Sequence, residues 1–159
     1  MSRLYYPIAV KIINRLVLVA GGGKVAERKV DILSAFGADI KVVSPSLTPR
    51  LKRFAGSQKI KWLKRKVAAS DLAGASIVIA ATSDREVNKK VSGWAERRGI
   101  PVNVVDQAES SSFISPAVFR ASKAVVAVYT EGKDPVLSRD MKNFIKENWD
   151  AFLSYRNRL

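Results

Sequence analysis

Short apolar runs of strand length alternate with segments whose apolar residues recur at helical intervals. That alternation predicts βαβ units around a parallel sheet. Leu16–Ala20 reads as a buried strand ending in Gly21-Gly22-Gly23. Val25 to Phe36 follows as a helix, with Val25, Lys29, Ile32, Leu33 and Phe36 at helical spacing and Gly37 where a C-cap glycine belongs. Ile40–Val43 predicts a second strand stopped by Ser44-Pro45, Leu47 to Ala55 a helix, and Ile60–Leu63 a third strand. Ile77–Ala81 predicts the fourth strand, and Thr82-Ser83-Asp84 offers helix caps before a helix from Glu86 to Arg98, closed by Gly99. Pro101–Val105 predicts the fifth, with Asp106 at its carboxyl end. The fold class expected is therefore α/β, a Rossmann-type doubly wound parallel sheet over residues 1–110.

The pattern then changes. Phe113-Ile114 reads as a short extended stretch, Lys123–Val128 as a strand, and Pro135 to about Tyr155 as one last helix, with proline in its preferred first turn. Two or three strands and a helix are too few for a second core. Residues 111–159 are expected to form a short α+β dimerisation arm that packs on the first domain or on a second subunit.

Composition narrows the chemistry. The 159 residues are 47% hydrophobic, and no apolar run approaches the length of a membrane span. No signal peptide is apparent, and the chain lacks cysteine, which excludes disulfides and thiolate chemistry. These features lead to an expectation of a cytoplasmic protein with no membrane partner. Histidine is absent too, so acid–base work falls to a carboxylate, Lys or Tyr, and no metal site is expected. The net charge of +14, from 28 Lys and Arg against 14 Asp and Glu, attracts polyanions, whether nucleic acid or a substrate with several carboxylates. Charge alone does not choose between them. Since no helix-turn-helix, zinc finger or aromatic RNA-binding signature is visible, nucleic acid is not expected as a partner.

Gly21-x-Gly23-x-x-Ala26 lies between a strand and a helix, the context a dinucleotide fingerprint requires. Gly21 permits the tight turn, Gly23 lets the backbone approach a pyrophosphate, and Ala26 lets helix and strand pack closely. The phosphates would sit on the free N–H groups near Lys24 and Val25. The ribose-gripping position, at the end of the second strand, holds Ser44-Pro45 and no carboxylate. Ser44 can hydrogen-bond a ribose hydroxyl but cannot repel a phosphate, and Arg50 and Lys52 stand close enough in sequence to receive one, so the motif leaves NAD and NADP open. Ala81-Thr82-Ser83 ends the fourth strand on the same edge, suited to the ribose or nicotinamide half, though Thr82 or Ser83 serves equally as a helix cap. Asp106 is the best placed proton acceptor; its alternative role is a turn cap.

Taken together, several segments resemble a known family: Tyr6-Pro7, Val19 to Lys29, Ala80-Ala-Thr-Ser-Asp84 with Asn88, Asn103-Val-Val-Asp106, Ser112-Phe-Ile-x-Pro116 and Gly132-x-x-Pro-Val-Leu-x-Arg139. They look like precorrin-2 dehydrogenase, the NAD-dependent module of siroheme synthases. The resemblance implies oxidation of precorrin-2 to sirohydrochlorin with NAD as cofactor, a homodimer joined through the segment after the Rossmann domain, and Asp106 as the catalytic carboxylate. Some members also insert ferrous iron, an activity the resemblance leaves open here: Asp106 could also help to hold a metal, and Gln107 after it weakens the case for chelation slightly. Precorrin-2 carries acetate and propionate arms, so a cationic cleft would hold it; Lys133 and Arg139, with Asn103, Ser112 and Thr130, are the candidate substrate contacts. Three departures stand out: the bulkier, acidic Tyr129-Thr130-Glu131, Gln107 where some relatives carry an acid, and the chain's end at Leu159, where many relatives continue into a helical domain. The alternative reading, a non-catalytic NAD-sensing module, accounts for the Rossmann half but not for the motifs around Asn103–Asp106 and Ser112–Pro116.

Overall fold

The structure, a computed structural model, describes residues 5–105, 107–121 and 124–157. Residues 7–113 form one compact unit, and residues 114–157 with Tyr5 and Tyr6 form another.

In the first unit, strands β1 (Leu16–Ala20), β2 (Asp39–Val43), β3 (Lys61–Leu63), β4 (Ile77–Ala80) and β5 (Val102–Val104) form one sheet in the order β3-β2-β1-β4-β5. Every pairing is parallel. The strand predicted at Leu16–Ala20 matches to the residue, and the fold is the expected Rossmann-type α/β sheet. Helices α1 (Lys24–Ala35), α2 (Pro49–Gly56) and α3 (Arg85–Glu96) connect the strands.

Central β1 explains why its run is apolar without alternation: both of its faces are covered. Val17 and Val19 pack with Ala26 and Val30 of α1 and Leu51 of α2, while Leu18 and Ala20 pack with Leu72 and with Val91 and Ala95 of α3. All four β1 side chains have no exposure. Glycine closes two helices as the pattern predicts, with Gly37 at φ +74° and Gly99 at φ +64°. Between β3 and β4, Arg65 clasps Asp71 through two bonds of 2.7 and 2.6 Å, and Asp71 also accepts from the Ala68 N–H. The guanidinium holds the buried Asp71 carboxyl below its usual range.

The second unit holds an antiparallel pair, β6 (Ala117–Ala121) and β7 (Ala124–Val128), followed by α4 (Pro135–Glu147) and α5 (Trp149–Arg156). Two expectations need correction here. A strand lies beyond Pro116, where none was expected, and the single long helix is two. Asn148 divides it: its N–H and its side-chain amide both donate to the Phe144 carbonyl, at 3.1 and 2.9 Å, which ends α4. Lys123, expected to begin the last strand, lies outside the described residues. Among the described residues, every buried hydrophobic side chain belongs to the first unit. In the second, Leu137, Met141, Phe144, Phe152 and Tyr155 stay exposed.

The first unit runs past residue 110 because two serines fasten the chain to β5. This strand is a sheet edge, and its outward N–H groups at Val102 and Val104 donate to the hydroxyls of Ser112 and Ser111, each at 2.8 Å. The Ser112 N–H returns a bond of 2.8 Å to the Val102 carbonyl, and the buried Asn103 amide donates to the Phe113 carbonyl at 3.2 Å. Removing either hydroxyl strands a backbone donor, so Ser111→Ala and Ser112→Ala should each cost about 1–3 kcal/mol in urea unfolding. A loss below about 0.5 kcal/mol would mean that water replaces the hydroxyl and that this fastening is incidental.

Candidate cofactor-binding site

The three glycines after β1 do three different things. Gly21 has φ +119°, and a β-carbon there would stand 2.2 Å from the Ala81 carbonyl oxygen, so it must be glycine to let β1 turn against the end of β4. At Gly22 a β-carbon would meet the Ser46 carbonyl at 2.1 Å and the Ser44 hydroxyl at 2.9 Å, because the loop after β2 folds over it and the Thr48 N–H donates to the Gly22 carbonyl at 3.0 Å. Gly23 has ordinary extended dihedrals, and nothing lies within 4 Å of its β-carbon position. That space opens onto the N-terminus of α1. Helices α2, α3 and α4 are capped by Thr48, Asp84 and Asp134, whereas no side chain caps α1. The first-turn amides of Lys24, Val25 and Ala26 and the open volume at Gly23 fit a pyrophosphate, since a helix N-terminus favours anions.

Around this turn the charges are arranged with restraint. Glu27, in the first turn of α1, accepts a short hydrogen bond from the Thr48 hydroxyl and lies 3.5 Å from Lys24. The Thr48 bond, then Lys24, lowers its pKa from the ordinary carboxylate value. Ser44, at the end of β2, is buried and its carbonyl accepts from the Trp62 indole N–H at 2.9 Å, while exposed Pro45 follows it. Arg50, one of two cations near enough in sequence to receive a ribose phosphate, is instead held by Asp31 through bonds of 3.0 and 2.9 Å and lies over Phe54. At the end of β4, Asn88 grips Thr82: its side-chain oxygen accepts from the Thr82 N–H and hydroxyl at 3.0 and 2.7 Å, and its amide donates to the Thr82 carbonyl at 3.1 Å. Asp84 caps α3, and Ser83 is exposed beside it.

Residues 8–117 match the model of a family described as "Putative NAD(P)-binding". The chain belongs to this NAD(P)-binding family. Relatives agree with the resemblance read from its motifs. The siroheme synthase of Chromobacterium violaceum is 44% identical over 138 residues, 87% of this chain and 29% of its own length. Siroheme synthase 1 of Aeromonas salmonicida is 43% identical over 149 residues, 94% of this chain and 31% of its own. The chain thus spans about a third of these curated relatives or slightly less. Among solved structures, the precorrin-2 dehydrogenase SirC superposes with a TM-score of 0.75 at 27% identity, covering 91% of this chain and 71% of SirC.

For an NAD(P)-binding chain, the expected cofactor contacts Gly21, Gly23, Lys24, Val25, Ser44, Pro45, Ala81, Thr82 and Ser83 gather at the carboxyl ends of β1, β2 and β4. Thr82 has its polar atoms turned to Asn88 and Asp84, so it shapes this edge from within. Asp106 lies outside the described residues; Val105 before it donates its N–H to the Ala80 carbonyl at 2.9 Å. Asn103 and Ser112 are engaged with Phe113 and Val102. In the second unit, the Thr130 hydroxyl bonds the Asp134 carbonyl and Ser138, while Lys133 pairs with Glu131 and Arg139 with Asp140, all near the start of α4. Sequence reasoning gave no role to Gly22, Thr48 or Asn88. Asn88 had a signal, standing in the motif quoted with Ala80–Asp84. Gly22 and Thr48 had none, because their contact joins two loops distant in sequence.

Lys29 adds one half-buried charge to α1. Burial first, then Arg28, lowers its pKa to about 8, and no carboxylate pairs with it among the described residues. Its folded pKa lies below the unfolded value, so the unfolded chain binds more protons between about pH 8 and 10.5, and stability from this group rises across that window. Lys29→Met should raise the unfolding midpoint at pH 7 and abolish that rise; an unchanged pH profile would show the ammonium to be solvated.

The glycines separate folding from binding. Gly21→Ala should lower stability by several kcal/mol, roughly the cost of overpacking plus a strained φ. Gly23→Ala should fold normally yet weaken dinucleotide affinity by about tenfold or more, one lost or displaced phosphate contact. Calorimetric titration alongside thermal melts tests both, and a Gly23→Ala protein with full affinity would remove the pyrophosphate from this turn.

Proposed function

We propose that this chain is an NAD-dependent precorrin-2 dehydrogenase, oxidising precorrin-2 to sirohydrochlorin as a cytoplasmic homodimer. The observation that carries the reading is the extent of the likeness to SirC. It covers 91% of the chain, more than residues 7–113 can supply, so it includes the arm as well as the dinucleotide-binding unit.

The oxidation takes a hydride and a proton from the substrate, and bound NAD supplies the hydride acceptor. Gly21, Gly23, Lys24 and Val25 hold the pyrophosphate on the α1 amides, Ser44 and Pro45 face the adenosine ribose, and Ala81, Thr82 and Ser83 flank the nicotinamide half. Of the two cations after β2, Arg50 is engaged with Asp31, which takes away one phosphate partner and favours NAD, while Lys52 stays exposed. Asp106 receives the proton on its carboxylate: in sequence it follows the carboxyl end of β5, the end at which open α/β sheets bind ligands, in a chain with no histidine or cysteine to compete. Asn103 and Ser112 hold the segment after β5 in position for the substrate. Lys133 and Arg139, with Thr130 setting their loop, meet its carboxylates by exchanging Glu131 and Asp140 for them. The homodimer is supported by the exposed apolar side chains of α4 and α5, which have no core of their own to enter.

Anaerobic incubation with precorrin-2 and NAD, followed by absorbance, should give sirohydrochlorin and NADH in equal amounts, by a protein of dimeric mass in light scattering. Asp106→Asn should lose at least about 100-fold in turnover, the usual worth of a positioned acid–base group, with NAD affinity unchanged. A protein that binds NAD but forms neither product would refute the dehydrogenase.

A further inference from the structure

Between Asp39 and Asp71 the chain carries nine Lys and Arg and not one acidic residue. The fold collects this stretch on one side of the sheet, in β2, α2 and the edge strand β3. Arg50 and Arg65 are paired with Asp31 and Asp71, and Lys41 is half-buried. Lys52, Arg53, Lys59, Lys61, Lys64 and Lys66 remain exposed and outside any ion pair among the described residues. Much of the net charge of +14 is therefore concentrated on one face.

We propose that this face binds the phosphate backbone of nucleic acid without reading its sequence. Its β3 portion stands apart from the strand that leads to Asp106. β3 and β5 are opposite edges of the five-stranded sheet, about 19 Å apart at ~4.8 Å per strand, and Asp106 follows β5. Guarding an edge strand against aggregation explains a lysine or two on β3 but not Lys52 and Arg53 on α2, which is no sheet edge. The partner's chemistry follows from what accompanies the cations. Among the described residues, no large hydrophobic side chain is exposed between Ile13 and Val125, so the face offers neither an anchor for a protein hot spot nor a wedge for a lipid surface. Arg50 and Lys59 both lie over the ring of Phe54, at 5.3 and 5.4 Å, which takes that ring from base stacking. Five lysines and one arginine on flexible stems suit a dense row of point charges, whereas carboxylates are better matched by free arginine forks. The sequence carries no nucleic-acid signature because such a contact needs none: it is electrostatic and depends on where the charges sit.

The test is fluorescence anisotropy of the full chain with a labelled duplex of about 20 bp, across a salt series. Affinity should fall with salt at a log–log slope of roughly −4 to −5, for about five phosphate contacts. The triple variant Lys61→Glu/Lys64→Glu/Lys66→Glu should lose tenfold or more in affinity while NAD binding is kept. Lys89→Glu/Lys90→Glu/Arg97→Glu, with the same change in net charge but on α3, should lose about threefold or less. Equal losses in the two variants would reduce the effect to net charge and overturn the proposal. So would absence of binding at physiological salt, or displacement of the duplex by poly-glutamate at equal charge concentration, which would make the partner an acidic protein. None of these outcomes bears on precorrin-2 oxidation, which is measured separately.

Discussion

Where β1 ends, the backbone runs so close to the end of β4 that only glycine fits between Gly21 and the Ala81 carbonyl. The geometry of the site depends on that approach. β1 has β2 on one side and β4 on the other, so the chain leaves the middle of the sheet in opposite directions and a crevice opens between the two departures. Gly22 brings the loop after β2 onto the same turn, Asn88 fixes the loop after β4, and the uncapped start of α1 is left facing the gap. Backbone crowding thus aims the amides, and side chains mostly hold loops in place.

Much of this was legible in the sequence. Leu16–Ala20 followed by three glycines fixes a buried strand and its turn, since few other arrangements accommodate a continuous apolar run ending in residues without side chains. The glycine C-caps and a cap within Thr82–Asp84 were equally plain, because each is decided within a few residues, although the pattern did not single out Asp84. The misplacements came from the arm. Ala117–Ala121 alternates weakly, with only Arg120 exposed, so it gave no strand signal, while Phe113 follows the serines along β5. The helix break at Asn148 left no trace in the periodicity, because side-chain bonding to Phe144 ends α4 while the apolar residues continue into α5.

The two units are built on different terms. Residues 7–113 bury apolar side chains completely on both faces of a sheet, which gives a domain stability of its own. The arm sandwiches little: Phe119, Trp149 and Phe152 meet edge to face and at a tilt, while α4 keeps much of its apolar stripe in the open. The likeness to SirC reaches through this arm as well as the dinucleotide-binding unit.

Ser111 and Ser112 have one more implication, for the way copies of this protein meet when they meet wrongly. By filling the donors of Val102 and Val104 with hydroxyls, they seal one margin of the sheet with short, directional bonds that ions scarcely weaken. The opposite margin, β3, is kept clear of neighbours by lysine repulsion, which dissolved ions screen. The five-stranded sheet therefore has a permanent seal on one side and a conditional one on the other. As ionic strength rises, stray strand pairing on this sheet begins at β3.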